Sequence, residues 1–294
     1  MRMTIQGCGT ALVTPFREDG SVDFSNFEAL VARQVERGIH FLVPCGTTGE
    51  SVTLSFEEQL EVIRATKRVA AGRVPVMAGV GGNNTAEVVR RLREAEAIGV
   101  DAILSVTPYY NKPSQQGLIA HYKEIARATS LPVVVYSVAG RTGVNVEPDT
   151  LLRLAEVPNI AGVKEASGNI SQIAKICATL PDDFVVLGGD DAVTIPLIAL
   201  GGRGVISVAS NEIPSEMAQL TQVALDGNLS EARAIFKKFL PLMEVNFIDS
   251  NPVPVKTAMA FMNLLKPVWR LPLVATDSNK ATRIRGVLET VGLL

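Results

Sequence analysis

Short apolar, β-branched segments recur along the chain, and stretches with helical spacing of apolar residues separate them. The segment Leu131-Pro132-Val133-Val134-Val135 is an example, and its continuous apolarity predicts a strand that is buried on both faces. Eight such segments are present, with approximate starts at Gly9, His40, Pro75, Ala102, Pro132, Ile160, Phe184 and Gly204. Each gap between starts accommodates one strand and one helix, so the pattern predicts eight βα units and a parallel sheet.

The stretches between these segments carry helix start and stop signals. Residues 23 to 37 place Phe27, Leu30 and Val31 on one side and end before Gly38, which is typical of a helix and its terminator. Ser55-Phe56-Glu57-Glu58 has the spacing of a capping box. Both signals favour helices directly after the first and second strands.

Eight βα units close into a barrel or form a doubly wound open sheet, which would need edge strands and a switch point. We expect the α/β class, with a (β/α)₈ TIM barrel in residues 1–210. Residues 211–294 show helical periods around Glu231 to Leu240 and Lys256 to Leu265, and no low-complexity segment or charge block separates them from the rest. We expect a C-terminal helical region that packs on the barrel.

Composition narrows the class of protein. Of the 294 residues, 47% are hydrophobic and 20% are charged, which excludes an intrinsically disordered chain. The formal net charge of −2 excludes the broad basic surface of a general nucleic-acid binder. No apolar run approaches the roughly 18 residues of a membrane span, and residues 1 to 7 lack the pattern of a signal peptide. We therefore expect a cytoplasmic protein with no nucleic-acid or membrane partner.

Cysteine and histidine are scarce. Cys8, Cys45 and Cys177 are widely spaced and form no CxxC pair, which favours a reducing compartment over a disulfide framework. His40 and His121 are the two histidines of the chain, so few imidazole ligands are available for a zinc site. We expect no metal and no cofactor.

A barrel of this kind presents its functional groups at the C-terminal ends of the strands and in the loops that follow. Polar side chains occupy such positions after four predicted strands: Thr47 and Thr48 after the second, Tyr109 and Tyr110 after the fourth, Tyr136 at the end of the fifth, and Lys164 at the end of the sixth. We therefore expect four loops to converge at one mouth.

Lys164 directly follows an apolar strand segment, Ile160 to Val163. Loss of hydration at such a position favours a neutral, nucleophilic amine. An amine of this kind condenses with a ketone to an iminium, which withdraws electrons and lets the adjacent carbon lose a proton. A structural ion pair is the alternative for a lysine at a strand end.

Three other positions have both a functional and a purely structural interpretation. Tyr136 is either a proton carrier or a packing aromatic. Thr47 and Thr48 lie between glycines, so they form either a small nest for a carboxylate or a tight turn. Arg141, just beyond the fifth strand, is either a bidentate carboxylate ligand or a solvated surface residue.

Taken together, the motifs resemble those of the dihydrodipicolinate synthase family over almost the whole chain. The matching segments are Gly46-Thr47-Thr48-Gly49-Glu50-Ser51, Thr107-Pro108-Tyr109-Tyr110-Asn111-Lys112-Pro113, Tyr136 with Gly140-Arg141-Thr142-Gly143, and Gly162-Val163-Lys164-Glu165-Ala166-Ser167-Gly168. The resemblance implies a class I aldolase-like (β/α)₈ barrel that condenses pyruvate with L-aspartate 4-semialdehyde through a lysine Schiff base. The implied product is 4-hydroxy-tetrahydrodipicolinate, in the diaminopimelate route to lysine.

The resemblance also implies a role for each matching residue. Lys164 would form the Schiff base, Tyr136 would donate and accept the proton, and Thr47 would relay it together with Tyr110 of a neighbouring subunit. Thr48 and the backbone of Ile206 would bind pyruvate, and Arg141 would anchor the semialdehyde carboxylate. The assembly implied is a homo-oligomer, a tetramer built from dimers.

The chain departs from the family pattern in two places. Ser137-Val138-Ala139 stands where the family usually has Asn-Val-Pro, so the loop before Arg141 lacks the fixed φ of a proline. The family's lysine-feedback pocket is matched by Ser51, Asn83, Glu87 and Tyr109, whereas Phe56 and Gln59 occupy positions where sensitive members often carry histidines. These four matches are candidate effector-binding residues, and lysine inhibition stays open.

Two other functions compete with this interpretation. Another pyruvate-dependent aldolase, such as a sialate lyase or a 2-keto-3-deoxy sugar acid aldolase, would share Lys164 and Tyr136, but Arg141 and the Thr47-Thr48 pair favour the synthase. A catalytically silent barrel that senses a small carboxylate is disfavoured by the intact set of Lys164, Tyr136 and Thr47.

Overall fold

Eight parallel strands form one closed sheet. The structure is a computed structural model that describes residues 5–294, so residues 1–4, on which the expectation of a missing signal peptide partly falls, lie outside the described residues. The strands are β1 Gly7–Ala11, β2 Phe41–Val43, β3 Met77–Gly79, β4 Ala102–Val106, β5 Val133–Ser137, β6 Ile160–Glu165, β7 Val185–Gly188 and β8 Gly204–Ser207. Their order is β2-β1-β8-β7-β6-β5-β4-β3, and a parallel bridge between Leu42 and Val76 joins the two ends. The predicted (β/α)₈ barrel is confirmed.

Helices follow the strands in alternation. Their bounds are α1 Phe24–Glu36, α2 Phe56–Ala70, α3 Thr85–Ala97, α4 Gln115–Arg127, α5 Ala139–Thr142, α6 Pro148–Ala155, α7 Ile170–Thr179, α8 Thr194–Ala199, α9 Pro214–Leu225, α10 Leu229–Val245, α11 Val253–Phe261 and α12 Ser278–Val291. Asp23 caps α1, and Ser55 with Glu58 forms the predicted capping box at α2. The local signals in the sequence therefore set these helix starts correctly.

The core has an inner and an outer layer, and successive residues of a strand alternate between them. In β5, Val133 and Val135 belong to the outer layer, between the sheet and the helices. Val134 and Tyr136 belong to the inner layer, which fills the barrel. Because side chains alternate along a strand, this register sends Tyr136 into the interior.

The C-terminal region is helical, as predicted, and it packs on the barrel. Helix α9 contacts β1 and β8, α10 contacts α9 and α12, and α11 contacts α12. The predicted division at residue 210 stays a prediction. Directly after it, α9 takes the place of the eighth barrel helix.

Residues 5–294 contain neither a candidate membrane helix nor a candidate metal site. In this part of the chain no helix combines the length and the apolarity that a bilayer crossing requires. Over the same residues, no three His, Cys, Asp or Glu side chains group as they would around a metal ion. The expectation that the chain needs neither metal nor cofactor stays a prediction.

Candidate active site

Lys164 and Tyr136 face each other at the C-terminal ends of two neighbouring strands. They are register partners in β6 and β5, and their exposed fractions are 6% and 7%. The Lys164 Nζ atom lies 4.2 Å from the centroid of the Tyr136 ring. An amine and a phenol are thus held against each other in a largely dehydrated site.

The carboxylate next to Lys164 is engaged elsewhere. Glu165 accepts hydrogen bonds from the Ser167 backbone at 3.2 Å and from Gln172 Nε2 at 2.9 Å. It therefore fixes the loop after β6. This arrangement disfavours a structural ion pair as the role of Lys164.

The space around the Lys164 side chain depends on Gly189, in the loop after β7. A Cβ atom at Gly189 would lie 3.1 Å from Lys164 Cε and 2.5 Å from the Ala166 Cβ. The second distance is shorter than real Cβ contacts, so a side chain at this position would displace the loop after β6.

The loop after β2 presents Thr47 and Thr48 in different environments. Thr47 is half-buried and lines the cavity, whereas Thr48 is 2% exposed. Thr48 Oγ1 accepts a hydrogen bond from Asn251 Nδ2 at 3.0 Å. Two residues further on, Glu50 Oε1 pairs with Lys256 Nζ at 2.6 Å, and both side chains are buried. Residues of the C-terminal region therefore hold this loop.

Arg141 lies in the short helix α5, which follows β5. Its guanidinium donates from Nη2 to the backbone carbonyl of Asn251 at 3.2 Å. The side chain remains exposed and lines the cavity. It therefore has donors left for a carboxylate.

One cavity of about 400 Å³ opens at this mouth of the barrel. It brings Thr47, Tyr136 and Arg141 together. From there it extends to Ser51 and Tyr109, so two of the candidate effector residues line the same cavity as Thr47, Tyr136 and Arg141.

The cavity lining does not include six other predicted site residues: Lys164, Thr48, Tyr110, Ile206, Asn83 and Glu87. Tyr110 is 90% exposed and has a φ of +71°, and it is not among the residues that line the cavity. Ile206 is fully buried in β8, within the inner layer of the core. A single chain thus does not bring the Tyr110 hydroxyl to Tyr136.

The candidate effector residues Glu87 and Asn83 both form hydrogen bonds within the chain. Glu87 accepts from Arg90 and Arg91 at 2.7 and 3.0 Å, and these hydrogen bonds lower the pKa of the Glu87 carboxyl to about 2. Asn83 Nδ2 donates to the Tyr109 carbonyl at 3.2 Å. The carboxylate that matches the feedback pocket is therefore already paired with arginines of its own helix.

Comparison with known proteins decides the family. Residues 4–291 match the Dihydrodipicolinate synthetase family. The chain belongs to this family. A protein of Koribacter versatilis named 4-hydroxy-tetrahydrodipicolinate synthase is 52% identical over 293 residues, which cover 99% of this chain and 98% of that protein. The predicted family and the predicted class of enzyme are confirmed.

Solved structures of dihydrodipicolinate synthases superpose closely on the chain. The enzyme of Thermotoga maritima is 42% identical with a TM-score of 0.97, and the match covers 99% of this chain and 100% of that one. The chloride-inhibited enzyme of Acinetobacter baumannii, complexed with pyruvate, gives the same identity, TM-score and coverage. A monomeric variant of a dihydrodipicolinate synthase gives a TM-score of 0.96 at 41% identity, with 99% and 98% covered.

Sequence reasoning missed the residues with which the C-terminal region supports the synthase site. These are Asn251, the Glu50–Lys256 pair, and Arg270, which forms a bidentate pair with Glu58 at 2.6 and 2.7 Å. Their contacts span more than 200 residues of sequence. A helical period indicates that α11 is a helix, but it does not indicate which loop the helix will contact.

Proposed function

We propose that Lys164 is the Schiff-base residue with which the chain condenses pyruvate and L-aspartate 4-semialdehyde to 4-hydroxy-tetrahydrodipicolinate. The observation that carries this proposal is the position of the buried Lys164 amine, 4.2 Å from the ring centroid of Tyr136, which lines the cavity. The reaction belongs to the diaminopimelate route to lysine.

The chemistry follows from an amine, a ketone and a proton carrier. Lys164 Nζ adds to the ketone carbon of pyruvate, and loss of water leaves an iminium. The iminium withdraws electrons, so the methyl carbon of pyruvate releases a proton and an enamine forms. The enamine carbon then attacks the aldehyde carbon, which regenerates the iminium, and the new alkoxide takes up a proton. The amino group of the semialdehyde adds to the iminium carbon, closes the ring and expels the Lys164 amine, which leaves the cyclic imine 4-hydroxy-tetrahydrodipicolinate. The Tyr136 hydroxyl carries these protons, with Thr47 as its neighbour in the relay.

Two subsites support this sequence. The Thr48 hydroxyl holds the pyruvate carboxylate, and the backbone at Ile206 contacts pyruvate. Arg141, with donors free toward the cavity, holds the carboxylate of the semialdehyde by charge-assisted hydrogen bonds. The aldehyde is thereby placed over the enamine.

Tyr110 enters the relay from a second subunit. Its 90% exposure fits a side chain that a partner covers, and the nearby mouth residue Val52 is 79% exposed. Ile170 and Leu200, exposed by 46% and 40%, offer further apolar surface, so a tetramer built from dimers is part of the proposal. A cytoplasmic location is also part of it, and Cys8, Cys45 and Cys177 are free thiols.

Borohydride trapping tests the mechanism. Pyruvate and borohydride should together fix one pyruvate-derived adduct, and peptide mapping should find it on Lys164. Lys164→Arg should abolish both adduct and turnover, because a guanidinium stays protonated. An adduct on another lysine, or none in active protein, would contradict the proposal, and a panel of aldehydes would separate the synthase from sugar acid aldolases.

A further inference from the structure

Asn251 lies between the two proposed substrate subsites. It precedes α11, and its exposed fraction is 6%. Its side-chain Nδ2 donates to Thr48 Oγ1 at 3.0 Å. Its backbone carbonyl accepts from Arg141 Nη2 at 3.2 Å. One residue of the C-terminal region thus contacts the side chains proposed to hold both carboxylates.

The direction of the Asn251–Thr48 hydrogen bond matters for the ligand. A threonine hydroxyl has one proton to donate and lone pairs that accept. Because the Asn251 amide donates to Thr48 Oγ1, the Thr48 proton is left for another acceptor. The carboxylate of pyruvate has only acceptor oxygens, so this orientation suits it.

The buried ion pair between Glu50 and Lys256 lies close in sequence to both partners of this hydrogen bond. Glu50 follows Thr48 by two residues, and Lys256 follows Asn251 by five. Their side chains meet at 2.6 Å and are buried, with Lys256 Nζ also 4.4 Å from the centroid of the Phe16 ring. The ion pair therefore fixes the positions of the Thr48 hydroxyl and the Asn251 amide relative to each other, although it contacts neither group.

We propose that Asn251 is a positioning residue that directs the proton of the Thr48 hydroxyl to the carboxylate of pyruvate. The inference rests on the proposed function, because it requires pyruvate to bind at Thr48. It adds a C-terminal residue to the pyruvate subsite and assigns that residue a hydrogen-bond direction.

Asn251→Asp is the decisive variant. The aspartate has the same shape, but at neutral pH it only accepts, so the Thr48 hydroxyl would donate to it and the pyruvate carboxylate would lose its donor. The readout is the half-saturating pyruvate concentration for the borohydride-trapped Lys164 adduct, without semialdehyde. We expect it to rise roughly 10- to 100-fold, as for a lost hydrogen bond to a charged group.

Asn251→Ala removes the donor without adding charge. We expect a smaller rise in half-saturating pyruvate, roughly 2- to 10-fold. In a Thr48→Val background, Asn251→Ala should add less than about a twofold change, because a residue that acts through the Thr48 hydroxyl has nothing left to orient. A full additive effect in that background would show a general structural role and overturn the inference.

The control is Asn228→Asp, the same chemical change at the exposed N-cap of α10, which should leave the trapping curve unchanged. Absence of any Lys164 adduct in the unmutated protein would contradict the proposed function itself. If the unmutated protein forms the Lys164 adduct and Asn251→Asp has the same half-saturating pyruvate concentration, only the role of Asn251 is overturned. If thermal unfolding shows that Asn251→Asp does not fold, the Asn251→Ala cycle with Thr48→Val decides.

Discussion

The Tyr136 ring serves both packing and chemistry. It belongs to the inner layer of the barrel core, and Lys164 Nζ lies over its face. The contact of the amine with the ring face depends on the ring, whereas proton transfer depends on the hydroxyl. The two roles can therefore be separated by removing the hydroxyl alone.

Tyr136→Phe should lower kcat by about 10²- to 10⁴-fold, the usual contribution of a positioned acid–base group. The thermal unfolding midpoint should change little, because the ring still fills the inner layer. Steady-state rates and a melting curve on the same preparation check both statements. A variant with normal kcat would remove Tyr136 from the proton relay.

Arg141→Ala should separate the two substrates. We expect kcat/KM for the semialdehyde to fall roughly 10- to 100-fold, as for a lost charge-assisted hydrogen bond. Half-saturation of pyruvate trapping should stay nearly unchanged, because iminium formation precedes the aldehyde. The exposed Arg153, which contacts Gln116 on the barrel surface, provides Arg153→Ala as the control. Equal losses in both steps would indicate that Arg141 is structural.

At the scale of the elements, α11 and the loop after β2 are joined by buried charges. Burial lowers the pKa of Lys256, and the Glu50 carboxylate opposes that shift. Desolvation makes such a pair costly to form, yet removing one partner leaves the other charge buried alone. The pair thus joins α11 of the C-terminal region to the loop after β2.

Lys256→Met should lower the free energy of unfolding by about 3 to 5 kcal/mol, because Glu50 is left unpaired in the core. Adding Glu50→Gln should recover much of this loss, since the buried carboxylate is gone. Urea unfolding of the single and double variants measures the difference. A single variant as stable as the unmutated protein would show that the pair does not matter for folding.

Helices α3 and α4 are linked by a buried imidazole, that of His121. His121 Nδ1 lies 2.9 Å from Thr85 Oγ1, and burial lowers the pKa of His121 to about 4. The folded state therefore keeps His121 neutral at pH values where the unfolded chain, with a pKa near 6.5, takes up a proton.

Stability should accordingly fall as the pH drops from about 6.5 to about 4, and His121 alone should account for about 3 kcal/mol of the fall. His121→Gln lacks the titrating group. The difference in unfolding free energy between the two proteins should therefore shrink over this range and stay constant above pH 7.5. A difference that does not change with pH would contradict the neutral, buried state of His121.

At the scale of the whole molecule, Tyr110 and Lys164 are proposed to act across a subunit interface. Inactive Tyr110→Phe and Lys164→Arg proteins, mixed and allowed to exchange subunits, should recover part of the activity, because some sites then hold both intact groups. Size-exclusion chromatography with mass measurement verifies the exchange. Inactivity after verified exchange would place Tyr110 outside the neighbour's relay.

The sequence predicts the parts of this molecule that depend on local pattern. The eight strands, the capping box at Ser55 and the placement of Lys164 and Tyr136 at adjacent strand ends all follow from apolar runs and the order of βα units. The contacts of Asn251 and Lys256 do not, because nothing periodic links them to residues some 200 positions earlier. The proposed role of Tyr110 requires a second chain, and the pattern of a single sequence does not show how two chains meet.

The long separation between Thr48 and Asn251 also has a consequence for synthesis of the protein. The two residues are 203 positions apart, and at typical elongation speeds a ribosome needs about 10 to 40 s to cover that distance. Only after Ser207, the last residue of β8, does the growing chain contain every strand of the barrel, and it then still lacks Asn251. The hydrogen bond between Asn251 and Thr48 is therefore completed late in translation, and a ribosome that stalls between Ser207 and Asn251 leaves a chain that has all eight strands but lacks this contact.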